Sequence, residues 1–145
     1  MTIRLSISAL ALLLASAALA HQGVTNPAVL ARMNGMSTIA EEMEVLGRMA
    51  KGAAPFDAPA ARQALRAIAA EAEEIPALFA APETDPKSEA LPEIWTQYDD
   101  FTVKARALTT LAEDLAQTVS MSEDLPAAMR QLGDNCSACH KPYRK

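Results

Sequence analysis

Apolar residues recur along the chain at alternating steps of three and four. The first run is Met33, Met36, Ala40, Met43, Gly47 and Ala50, and the second is Ala61, Leu65, Ile68, Ala72, Ile75 and Phe79. A third, longer run comprises Ile94, Tyr98, Phe101, Ala105, Leu108, Ala112, Leu115 and Val119. The fourth is Leu125, Met129, Leu132, Cys136, Cys139 and Tyr143. Such steps return to the same side of an α-helix, and alternating them keeps one seam turned toward a partner. No period-two run of comparable length competes. The pattern therefore predicts an all-α protein in which four helices, each with one apolar stripe, close as an antiparallel four-helix bundle.

Polar punctuation falls between the runs. Asn26-Pro27 has the form of an N-cap followed by proline in the first turn, and Gly52 that of a C-terminal stop. Asp57 with Pro59 opens the second helix, and Pro76 ends or kinks it. Pro82 to Pro92 is a polar connection with Ser88 as a candidate cap. Ser122 or Asp124 caps the last helix, whose first turn accommodates Pro126. Alanine is abundant and glycine scarce, which suits helices because alanine loses no side-chain entropy on entering one.

The first twenty residues stand apart. Arg4 precedes a short apolar run, Leu5 to Leu14, and Ala18-Leu19-Ala20 has the small-x-small form of a cleavage site. Residues 1–20 are read as a secretory signal and residues 21–145 as one domain. An uncleaved anchor would need about 20 apolar residues, and a polar segment begins at His21. No second run has membrane length, so no membrane insertion is expected after cleavage. The 145-residue chain has a net charge of −5. Without Arg4 the balance is 12 basic against 18 acidic side chains, which argues against a nucleic-acid partner.

Two cysteines in an exported chain ordinarily suggest a disulfide. Here they stand three apart, and a disulfide closing so short a loop would stabilise little. Cys136-Ser137-Ala138-Cys139-His140 has a better explanation. Thiols at i and i+3 of a helix project on one side and can reach the two vinyl groups of one porphyrin. The next residue, His140, can then bring a ring nitrogen under the iron as the proximal ligand. A structural zinc site wants four ligands and this motif offers three. A thiol redox motif would sit between a strand and a helix, which this one does not. One covalently attached haem c is the expected cofactor.

With this motif on the last of four helices, the chain resembles the cytochrome c-prime family, the class II c-type cytochromes. Besides C-x-x-C-H, the resemblance includes Tyr143-Arg144 after it, Ile94-Trp95 opening the third helix, and a first helix carrying Arg32 and Met36 and ending Ala50-Lys51-Gly52. It implies a haem inside the bundle near one end, residence in the periplasm with redox proteins as partners, and frequently a homodimer. It also implies that Met36 faces the distal side of the iron, that Arg32 pairs with a haem propionate, and that Arg144 lies beside the proximal imidazole. A solvated Arg32, and Met33 or Met43 in place of Met36, are the rival placements. Trp95 either packs on the haem edge or fills core. Iron held by His140 and Met36 would be low-spin and suited to carrying single electrons, as in the methionine-ligated branch that the Met36-to-Gly52 stretch resembles. Without the methionine it would be five-coordinate and high-spin, open to nitric oxide or carbon monoxide. No carboxylate pair or Ser/His/Asp set points to an enzyme.

Overall fold

The computed structural model describes residues 23–145, so the leader assigned to residues 1–20 lies outside the described residues. Four long helices dominate: α1 (Pro27–Ala50), α2 (Ala58–Leu78), α4 (Tyr98–Thr118) and α5 (Leu125–Tyr143). A single turn, α3 (Glu93–Thr96), precedes α4, and a 3-10 turn (Ser122–Asp124) precedes α5. Among the described residues the only β-type pairing is one bridge between Ala90 and Arg144. The long helices form a ring in the order α1, α2, α4, α5. Contact is most extensive between α2 and α4 and least extensive between α5 and α1.

Local chemistry explains most boundaries. Asn26 Oδ1 accepts hydrogen bonds from the amides of Ala28 (2.9 Å) and Val29 (3.2 Å), filling two of the unpaired donors at the start of α1. Gly52, just past its end, takes a left-handed φ of +69° that side chains resist. Asp57 Oδ1 caps α2 by accepting from Ala60 N at 2.9 Å. Pro76 lies inside the last turn of α2, which continues to Leu78.

Three boundary expectations need correction. Ile94 and Tyr98 belong to separate helices, because the backbone breaks at Gln97 (φ −127°, ψ 40°). Ser88 caps no helix; its Oγ accepts from Ala90 N within a turn. Neither Ser122 nor Asp124 caps α5 with its side chain. The 3-10 turn already gives Asp124 helical backbone angles, and its carboxylate reaches backward to the amides of Ser120 (2.8 Å) and Met121 (3.0 Å).

The core stripes of α2, α4 and α5 follow the apolar periodicity, from Ala61 through Phe79, Phe101 through Val119, and Leu125 through Tyr143. The stripe of α1 does not. Its buried residues are Val29, Arg32, Ile39, Leu46 and Met49, with Met36, Met43 and Ala50 half-buried against the core. Ala40 is exposed. A buried arginine made the true seam read as polar at one turn.

Candidate functional site

Antiparallel packing gathers at one end the start of α1, the end of α2, α3, the start of α4 and the end of α5. Cys136, Cys139 and His140 lie on that end of α5. Both cysteines are free and half-buried on the helix's inward side. Burial pushes both thiols above their ordinary pKa; at Cys139 the nearby Lys104 opposes this while Cys136 and Asp100 add to it. Both are therefore protonated thiols at neutral pH. His140 is partly exposed, and desolvation together with the Arg144 cation lowers its imidazole pKa. It is held in the neutral form that ligates metals. No group of three or more His, Cys, Asp or Glu among the described residues could hold a metal ion by itself, so the motif does not close as a zinc site.

The seam between α1 and α5 offers room and register. A methyl group placed on Gly47 of α1 would lie 3.6 Å from Met129 Cε of α5, so these two positions face each other. Helix geometry carries that contact along the seam. Eleven residues make almost exactly three turns, about 16 Å of rise, and return to the same face. Eleven residues before Gly47 is Met36, and eleven after Met129 is His140. In antiparallel helices these two residues stand level, on facing sides. By the same count Met33 is level with Tyr143, and Met43 with Gly133, one turn away in either direction. A methyl on Gly133 would meet nothing within 4 Å, whereas one on Gly35, where α1 packs on α2, would lie 3.3 Å from Leu78 Cδ1. The α1–α5 seam is thus the loose one, lined by half-buried Met36, Met43, Met129, Cys136 and Cys139. Its donor set of two reduced thiols, a neutral imidazole and thioethers fits a c-type haem.

Arg32 is only 3% exposed, which removes the solvated placement. Its Nε donates to Leu78 O and Nη1 to Glu83 O, both at 2.8 Å, and Nη2 donates to Ala81 O. The guanidinium also lies over the rings of Phe79 (4.8 Å) and Trp95 (5.4 Å). Burial lowers its pKa and the Glu83 carboxylate partly restores it. Arg32 therefore ties α1 to the connection after α2, using carbonyls left free at the helix end. Trp95 donates its Nε1–H to Phe79 O at 2.9 Å, so it works as packing and anchor.

The turn bearing His140 is clamped from two sides. Tyr143, 3% exposed, donates its hydroxyl to Asp100 on α4, and burial with that carboxylate pushes its pKa up to about 12. On the other side, Leu91 N donates to Tyr143 O (3.0 Å) and Lys145 N to Glu89 O (2.9 Å). Arg144 Nε and Nη2 both reach Glu89 Oε2 at 2.6 Å. Arg144 N donates to His140 O at 2.9 Å, so the helix carries on through Pro142. Asp100 and Glu89 were not visible as site residues in the sequence, since each is an acid that reads as solvated until its distant partner is known.

Residues 27–144 match the family model described as cytochrome C'. The chain belongs to the cytochrome c' family. Cytochrome c-556 of Agrobacterium tumefaciens (strain apple 185) is 38% identical over 115 residues, covering 79% of this chain and 91% of the relative. Cytochrome c-554 of Cereibacter sphaeroides is 36% identical over 120 residues, covering 76% and 86%. The solved structure of cytochrome c' from Rhodopseudomonas palustris superposes with a TM-score of 0.77 at 28% identity, covering 83% of this chain and 98% of that one. Membership brings a covalently bound haem c, for which Cys136 and Cys139 are the only cysteines in the chain. When bound, that group supplies a one-electron ferric–ferrous couple. No helix among the described residues is long and apolar enough to cross a membrane.

Proposed function

We propose that this cytochrome is a periplasmic carrier of single electrons, with its haem joined to Cys136 and Cys139 and its iron held by His140 and Met36. The observation that carries this reading is the α1–α5 register, which sets Met36 level with His140 and leaves Met33 and Met43 a turn away. Met36 is half-buried beside the loosest seam of the bundle, where a thioether can turn toward a bound group without leaving the core. A thioether opposite an imidazole makes the iron low-spin and raises its potential. The apolar surroundings exclude water, and His140 is kept neutral for ligation. Periplasmic residence rests on the leader read from residues 1–20.

Absorption spectroscopy of the haem-loaded protein tests the ligation. Sharp α and β bands in the ferrous state, indifferent to carbon monoxide, are expected. Met36→Ala should convert this to a broad high-spin spectrum that responds to carbon monoxide, while Met33→Ala and Met43→Ala should not. A wild-type protein already high-spin and reactive with carbon monoxide would make it a gas-binding cytochrome instead. A Met36→Ala protein that stayed low-spin would remove Met36 as ligand.

A further inference from the structure

The chain is acidic overall, yet the outward side of the haem-bearing turn is not. An open depression of about 360 Å³ beside His140 is lined by Ser137, Lys141, Arg144 and Lys145, with no carboxylate among them. All three cationic residues are exposed. The acidic side chain that meets them is Glu89, which pairs with Arg144 at 2.6 Å. Lys145 Nζ donates to Ser88 O at 3.4 Å, a neutral carbonyl. Among the described residues neither Lys141 nor Lys145 forms an ion pair. Three cations against one acid, centred on the proximal ligand, face solvent from a molecule whose net charge is −5.

We infer that electrons are exchanged through this cationic window, and that it docks the acidic face of a redox partner protein. The inference rests on the electron-carrier reading above and names the partner chemistry of the same site. Over distances beyond a screening length of about 10 Å, an approaching partner feels the whole negative molecule. Close to the window it feels Lys141, Arg144 and Lys145. A partner whose own docking face is acidic is attracted here and repelled over most of the remaining surface, so the local charge selects orientation as well as partner.

The sign of the salt dependence decides. The haem-loaded ferrous protein is mixed with hexacyanoferrate(III), an anion, and with tris(phenanthroline)cobalt(III), a cation, and oxidation is followed optically as salt rises from ~10 to ~200 mM, across which screening shortens severalfold. Exchange at the window predicts that the hexacyanoferrate rate falls about threefold or more with salt while the cobalt rate rises. Exchange governed by net charge predicts the opposite slopes, and that result overturns the inference. Lys141→Glu with Lys145→Glu should reverse the wild-type slopes. Arg66→Glu, an exposed change in the middle of α2, should leave their signs alone; slopes reversed by Arg66→Glu as well would also overturn it. A protein lacking haem, or a haem that neither oxidant oxidises, would instead overturn the carrier reading itself.

Discussion

The two sides of the bundle are built from different materials. Between α2 and α4 the facing residues are small and fully buried: Ala61, Ala64, Ala69 and Ala72 on one helix, Ala105, Ala112 and Ala116 on the other. Small side chains let two helices approach closely, and this pair makes the most extensive contact in the ring. Between α1 and α5 the seam is lined by methionine and cysteine, none of them fully buried, and Gly133 faces empty space. One side is a frame that needs nothing more. The other is a jaw whose sulfur-lined surface is finished only by a bound group. Apolar residues left half-exposed in one seam, and not scattered, mark where a ligand belongs.

Removing the thiols breaks this contrast most completely. Cys136→Ala with Cys139→Ala should abolish covalent haem altogether, read as a protein mass equal to that of the polypeptide alone. The helical circular dichroism should persist, because the frame does not depend on the jaw. Loss of both together would mean that the two sides are one cooperative unit.

The next effect separates the sides energetically. Leu65 is 0% exposed in the frame, and Leu65→Ala should cost about 3 kcal/mol through lost burial and the cavity left behind. Met43→Ala on the jaw side removes a similar volume from a half-buried position and should cost about 1 kcal/mol. Urea unfolding of the haem-loaded variants compares the two directly. Equal losses would show that the jaw is as tightly packed as the frame.

Legibility in the sequence divides along the same line. The frame was plain because Leu65, Ile68, Ala72 and their counterparts on α4 are apolar at every buried step. The covalent site was plain because C-x-x-C-H packs its whole chemistry into five consecutive residues. What could not be read depended on distant partners. Arg32 looks solvated until the carbonyls of Leu78, Ala81 and Glu83 close on it, some fifty residues away. With Arg32 read as polar, Met33 and Ala40 took its place in the seam of α1. Asp100 and Glu89 gained their meaning only when folding brought Tyr143 and Arg144 against them. Periodicity reports a stripe, whereas a buried charge is justified by a hydrogen-bond geometry that periodicity does not encode.

Arg32 fastens the jaw's α1 to the end of the frame's α2, so removing it should loosen one side from the other. Arg32→Met keeps most of the volume and leaves three carbonyls short of their donor, which should cost about 2 kcal/mol. Hydrogen exchange should rise at Ala81 to Glu83 and in the first turns of α1, and remain slow in the middle of α2 and α4. Uniform acceleration would mean that Arg32 supports the whole fold and not this junction.

The smallest effect concerns the same junction under acid. Asp85, 6% exposed, accepts from Lys87 N, Thr25 N, Asn26 N and the Thr25 hydroxyl, and these bonds hold its pKa down to about 2 against an ordinary 3.8. The folded chain therefore binds fewer protons here than the unfolded chain between those two values. The stabilisation is fully present above pH 3.8 and drains away as the pH falls through about 2. Asp85→Asn should make the unfolding free energy of the haem-loaded protein less steep in this window by up to one proton, while lowering it at neutral pH. The proton count comes from the slope of urea-unfolding free energy against pH. An unchanged slope would mean that the carboxylate titrates alike in both states, and that the strap between Thr25 and Lys87 is held by its backbone and not by this charge.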